Sequence, residues 1–166
     1  MDRRVLVYIS LFTVLVCFLF VNYNPNIASE FTSDYSDGEV FTPVNGTFDF
    51  KDFTVISDSH NFTAKTKTIG HTQFTDDTGE VVINYLELDS MIQSTRDWHS
   101  NLLTEELKRP SWSVDGVTVH EIDFMFGDEA YSAYIKNSTG NKIIYLSTPN
   151  EQETADIVNS LYFKEE

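Results

Sequence analysis

The sequence predicts an α+β fold: an antiparallel sheet of about six strands with two packed helices, in the order β-β-β-α-β-β-β-α, preceded by one transmembrane helix. Three observations carry this. Val5 to Val21 is a seventeen-residue run without a charge. Ser90 to Pro110 has helical spacing with a start and a stop signal. Turn-forming residues then recur at Asp115-Gly116, Gly127-Asp128 and Thr139-Gly140-Asn141, the punctuation of a hairpin series.

At ~1.5 Å per residue the apolar run is ~25 Å long, near the thickness of a bilayer's hydrocarbon core. Candidate cleavage sites after it are poor, since Ala28 follows Asn26 and Ser29 follows Ile27 at the positions that favour small residues. Residues 5–21 are therefore expected to be a signal anchor rather than a cleaved peptide. Cys17 lies inside the run and is expected to be membrane-embedded. Arg3 and Arg4 mark residues 1–4 as the cytoplasmic end. The chain beyond the anchor is expected outside the cell, in a single-pass arrangement. Residues 22–40 contain Asn, Pro, Ser, Thr, Asp and Gly with few large apolar side chains and read as a flexible linker; residues 41–166 read as the extracytoplasmic domain.

Phe48, Phe50 and Phe53 to Ile56 suggest a short strand pair, and Phe62 to Ile69 alternates as a strand with one wet face. Asp76-Asp77-Thr78-Gly79 is a turn by composition. Glu80 to Leu88 is apolar on both faces, as a central strand is. The helix after it is capped by Ser90 or Ser94, buries Trp98 with Leu102, Leu103 and Leu107, and places Lys108 and Arg109 in its last turn before Pro110. Strands are expected over Val117 to Phe126, Ala130 to Lys136 and Lys142 to Thr148, with a bulge near His120-Glu121 where the apolar phase slips. Thr148 or Asn150 then caps a short helix with Glu151 and Glu153 in its first turn and Ala155, Val158 and Leu161 on one face.

Setting aside Asp2, Arg3 and Arg4 leaves nine basic and twenty-five acidic side chains. Such a field repels phosphate backbones, which argues against nucleic-acid binding, and favours cationic partners. With Cys17 as the chain's one cysteine, the domain has no internal disulfide and depends on burial, which suits an aromatic content of thirteen Phe and eight Tyr in the whole chain.

The Phe48-x-Phe50-x-x-Phe53-x-Val55 opening, and the close from Pro149 through a short acidic helix to Asn159-Ser160-Leu161-Tyr162-Phe163, resemble the PsbP-like α/β/α sandwich. Phe53 stands where a tryptophan is common in that group. The resemblance implies an accessory domain that assists a larger complex, with no catalytic residues to carry over. The layout of short anchor and acidic, Asn- and Thr-rich domain is also similar to small surface proteins of methanogenic archaea.

Candidate sites are few. His60, His71, His99 and His120 show no metal-ligand spacing, and His60 and His71 flank one strand, ~30 Å apart at about 3.3 Å per residue. Asp76-Asp77-Thr78-Gly79-Glu80 and Asp34-x-x-Asp37-Gly38-Glu39 gather carboxylates around a glycine without matching a calcium loop. There is no G-x-S-x-G elbow. Asn45-Gly46-Thr47, Asn61-Phe62-Thr63 and Asn137-Ser138-Thr139 permit glycosylation. Trp112, in a segment that reads as loop, is the candidate partner surface. No catalytic, cofactor or metal residue is expected. The expected function is a membrane-tethered binding or accessory domain, with the membrane contacted through residues 5–21 and a protein as partner. The alternatives are a small-ligand or cation-binding sensor domain and a hydrolase with an unrecognised site.

Overall fold

The computed structural model describes residues 34–57, 61–123 and 129–164. Within them lie β1 (Val40–Phe41), β2 (Thr47–Asp49), β3 (Phe53–Ile56), β4 (Phe62–Thr68), β5 (His71–Thr75), β6 (Val82–Glu87), α1 (Gln93–Glu106), β7 (Ser111–Val114), β8 (Val117–Asp123), β9 (Glu129–Lys136), β10 (Lys142–Thr148), α2 (Glu151–Asn159) and β11 (Leu161–Phe163). Eight strands form one sheet in the order β1-β4-β5-β6-β10-β9-β8-β7, and three form a second, β11-β3-β2. Every strand pairing is antiparallel.

This corrects the expected fold class. Instead of one sheet of about six strands there are, among the described residues, two sheets, of eight and three, and six strands precede α1. No helix among the described residues is long and apolar enough to cross a membrane, and the expected transmembrane segment 5–21 lies outside them. His60 and the Gly127-Asp128 turn also lie outside them. The extra strands are short or polar. His71–Thr75 reads HTQFT, and only Thr72 and Phe74 on its inner face are buried. The segment around Trp112 is not loop but β7, an edge strand. Leu161 does not continue the face of α2; it starts β11, opposite Val55.

The domain also starts before residue 41. Tyr35, inside the stretch read as linker, is 3% exposed, and its ring packs edge-on against Phe74 at 5.0 Å and Tyr85 at 5.7 Å. Its hydroxyl donates to Asp52 Oδ2 at 3.1 Å, and Lys142 Nζ meets Asp52 Oδ1 at 2.9 Å.

Strand register sorts the side chains of the large sheet onto two faces. Phe74, Ile83, Tyr85, Ile144, Leu146, Ala133 and Val119 share one of them. Phe48, Phe53 and Val55 of the small sheet close over the β5–β10 part of this face in a single core. Phe50 is central there, 4.5 Å from Phe53, 4.6 Å from Phe74 and 4.9 Å from Phe41 between ring centroids. Each such pair adds about 0.5–1.5 kcal/mol beyond its area term. α2 covers the same face further along, setting Ala155 on Val117, Val119 and Ala133. Its cap is Asn150, whose side chain accepts from the backbone N–H of Gln152 and Glu153.

No register shift marks a bulge in β8 at His120-Glu121: His120 is the last partner of β7, opposite Ser111, and the first of β9, opposite Ser132. The phase slip has a different cause. Val117 and Val119 are buried on the α2 face, while His120 and Ile122 are buried on the other. The ladder does shift at Thr66/Thr68, before the Gly70 turn. Gly70 has φ +74°, and a Cβ there would lie 2.6 Å from the Glu87 carbonyl oxygen. Only glycine lets that turn close against the end of β6.

Candidate functional site

The second face of the large sheet carries a different chemistry. His71 and Gln73 of β5 stand opposite Leu86 and Asn84 of β6, and Tyr145 of β10 lies between Asn84 and Tyr134 of β9. α1 docks on this side through a small cluster of Leu86, Met91 and Ile143 with Leu103. The helix differs from expectation at both ends. Its cap position is Ile92, with no side-chain cap bond, while the Ser90 hydroxyl donates to Glu87 and Ser94 lies within the first turn. Lys108 and Arg109 fall past its end and pair with Glu105 and Glu106.

α1 also presents a different edge to the sheet. Trp98 is 60% exposed rather than buried, and Ile92, Leu102 and Leu107 are exposed with it. The buried residue of the helix is His99, at 4% exposure. On a helix Trp98 and Leu102 are i, i+4 neighbours, as are His99 and Leu103, so the two pairs form adjacent stripes. The sheet takes the second.

This rotation brings together two histidines separated by twenty-eight positions in the chain. The His71 and His99 rings meet edge to face, 4.9 Å between centroids and 78° between planes, and Trp98 packs on His99 at 4.7 Å. His71 Nε2 lies 3.0 Å from Asn84 Oδ1, and Gln73 Nε2 donates to the same oxygen at 3.3 Å. That oxygen can only accept, so His71 carries its proton on Nε2 and keeps the lone pair on Nδ1. Neither ring nitrogen of His99 has a hydrogen-bond partner among the described residues. Burial, with a smaller contribution from His71, pushes His99 down to about 4. Burial likewise lowers His71, against the hydrogen bond to Asn84 and helped by Lys67. Both rings are thus neutral at pH 7. The pair lines an open cavity of about 440 Å³ whose other walls are Lys67, Thr68, Ser94, Thr95 and Trp98.

The remaining histidine of the described residues, His120, is also buried rather than a surface group. Its ring rests on Tyr134 at 5.6 Å, and its Nδ1 has no hydrogen-bond partner among the described residues. Tyr134 stacks on Tyr145 at 4.9 Å, and burial together with the Glu106 charge pushes the Tyr145 hydroxyl up to about 12.

Trp112 is 37% exposed. Its indole N–H donates to Glu151 Oε2 at 2.6 Å and its ring meets Tyr131 edge-on at 6.0 Å, tying edge strand β7 to the first turn of α2. The carboxylate turns act as local staples: Asp76 accepts from the Val81 N–H and the Thr78 hydroxyl, and Asp37 accepts from the Thr66 N–H. Among the described residues no three His, Cys, Asp or Glu side chains converge as metal ligands. Of the sequons, Asn45 and Asn61 are exposed, whereas the Asn137 amide donates to Thr139 and Asn141. A second cavity, of about 550 Å³, lies beside the β9–β10 turn among Lys136, Asn137, Lys142 and Lys164. Lys142 and Lys164 are engaged by Asp52 and Asp49.

No protein-family profile, curated protein or solved structure matches the chain.

Proposed function

We propose that this chain is a binding domain held at the outer face of the membrane by the apolar run 5–21, and that it contacts a protein partner through the outer edge of α1 around Trp98. The observation that carries this reading is the 60% exposure of Trp98, with Leu102 one turn further along the helix at 40%. A large aromatic in that setting gains most from leaving water against a partner, and tryptophan is the residue most enriched at interface hot spots. The net charge of −15 argues against nucleic acid as that partner.

A second reading has its own support. The cavity beneath Trp98, about 440 Å³, falls in the size range of small-molecule sites.

A pull-down of the tagged full-length chain from its own membranes in gentle detergent tests the first reading. A partner at stoichiometric yield that is lost with Trp98→Ser and kept with Trp112→Ser is the expected result. A partner that survives Trp98→Ser moves the surface elsewhere, and a clean monomer leaves the small-ligand reading.

A further inference from the structure

We propose that His71 and His99 form a binding site for a divalent first-row transition-metal ion, Cu²⁺ binding best, with the ion's remaining positions filled by water or an external ligand entering the cavity. This goes beyond the partner surface, because it concerns the floor of the cavity rather than the outer edge of α1.

Four observations converge on it. The first is separation. With metal–nitrogen bonds of about 2.0–2.1 Å, two imidazoles on one ion have ring centroids about 5 Å apart; the 4.9 Å between these rings matches that spacing, and a turn about the side-chain bonds aims the two nitrogens at one ion. The second is the support around His71. Asn84 fixes its tautomer and orientation through Nε2, and Gln73 holds Asn84 through the same oxygen. A ligating histidine is typically held in this way, its second nitrogen donating to an oxygen. The third is His99, more than nine-tenths buried on the cavity wall, with no hydrogen bond among the described residues to compete for its lone pair. A ring nitrogen with no competing hydrogen bond is available to an ion that enters from the cavity. The fourth is access: both rings line the same open cavity, whose one charged wall residue is Lys67.

Imidazole ligands suit Cu²⁺, Ni²⁺ and Zn²⁺, and Cu²⁺ binds a given nitrogen site most tightly of the series. With two protein ligands the coordination sphere stays open, so the site would hold an ion and still accept a donor group from a second molecule.

The chain has two tryptophans, so Trp112→Phe leaves Trp98, whose ring is 4.7 Å from His99, as its one indole reporter. The test is a Cu²⁺ titration of that full-length variant, stripped of metal with a chelator and held in detergent. Saturable quenching at one ion per chain is expected, with a Cu²⁺ electron paramagnetic resonance spectrum showing nitrogen ligation. His71→Gln and, separately, His99→Gln should each weaken binding at least tenfold, with circular dichroism checking the fold. Asn84→Leu should weaken it by about 10-fold by releasing His71, in the range for lost outer-shell partners. His60→Gln and His120→Gln should leave it unchanged. Undiminished binding in His71→Gln, or loss in His60→Gln or His120→Gln instead, overturns the assignment, as does the absence of saturable quenching. Should His99→Gln fail to fold, His71→Gln and Asn84→Leu decide. None of these outcomes depends on whether a protein partner binds Trp98.

Discussion

On the face of the large sheet that carries Ile83, Tyr85 and Ile144, Phe48, Phe50, Phe53 and Phe74 are fully buried between two sheets. Asp52 and Lys142 form an ion pair beside this core, and the Tyr35 hydroxyl completes it. On the opposite face, His71, Asn84 and Tyr145 lie in a polar row, His99 and His120 keep ring nitrogens without a hydrogen-bond partner among the described residues, and the helix above turns its tryptophan to water. The packed face leaves one such group, the Tyr85 hydroxyl, whereas the other holds the His120 Nδ1, Ser132 and Tyr134 atoms without partners among the described residues. The contrast matters because unsatisfied buried polar groups are where structure and function part company.

The largest effect expected from breaking this contrast is on the packed face. Phe74 touches Tyr35, Phe41, Phe50 and Phe53 at once. Phe74→Ala is expected to lower unfolding stability by about 3–5 kcal/mol, read from urea denaturation. A loss below about 1 kcal/mol would mean the two sheets do not share one core.

The second effect belongs to the polar face and appears as pH dependence. His99 sits at about 4 in the fold, below its ordinary 6.5, because burial disfavours the charged ring. The unfolded chain therefore binds the proton more readily between those values. Stability is full above about pH 6.5 and falls as pH drops toward 4, by no more than about 3 kcal/mol from this group. His71 shifts in the same direction and adds to the loss. With chelator present, the wild type should lose stability over this window more steeply than His99→Gln. Parallel curves would show that His99 is not buried in solution.

How far these faces are legible in the sequence depends on their chemistry. β6 and β10 are apolar on both sides, and α2 has a capping asparagine followed by two glutamates, so pattern alone places them. β5 and β7 are not legible because HTQFT and SWSV carry few apolar side chains; pairing with neighbours makes them strands, not their own composition. α1 is legible as a helix but not in its rotation. Trp98, Leu102, Leu103 and Leu107 spread over two adjacent stripes, and hydrophobicity favours the one with tryptophan. The sheet instead accepts Leu103 and His99, because Leu86, Met91 and Ile143 form a patch that matches a leucine. The His71–His99 contact has no sequence signal, since it exists only after β5 and α1 meet across β6.

Back on the packed face, Asn150 offers a smaller test. Its side chain satisfies two backbone N–H groups at the start of α2, and that helix seals Val117, Val119 and Ala133. Asn150→Ala is expected to cost about 1 kcal/mol, whereas Ser94→Ala in α1, which has no side-chain cap bond, should change stability little. Equal losses at both would mean α1 is capped in solution by Ser94, as its sequence suggests.

The smallest stability effect should come from the largest side chain. A tryptophan in a core costs about 3–5 kcal/mol to truncate; Trp98 at 60% exposure packs mainly on His99 and leaves most of its ring in water. Trp98→Ser is expected to change unfolding stability by less than about 0.5 kcal/mol, the range of surface substitutions. The comparison with Trp112→Ser sharpens this, because Trp112 forfeits a hydrogen bond to Glu151 and its contact with Tyr131. That variant should lose about 1 kcal/mol or more. If Trp98→Ser were instead the more damaging of the two, α1 would be rotated toward the stripe its hydrophobicity favours. His99 would then face solvent, the His71–His99 contact would be lost, and the polar face would hold neither the cavity nor the ion site. A small loss at Trp98 together with a larger one at Trp112 keeps both, and leaves an exposed tryptophan whose retention stability does not explain.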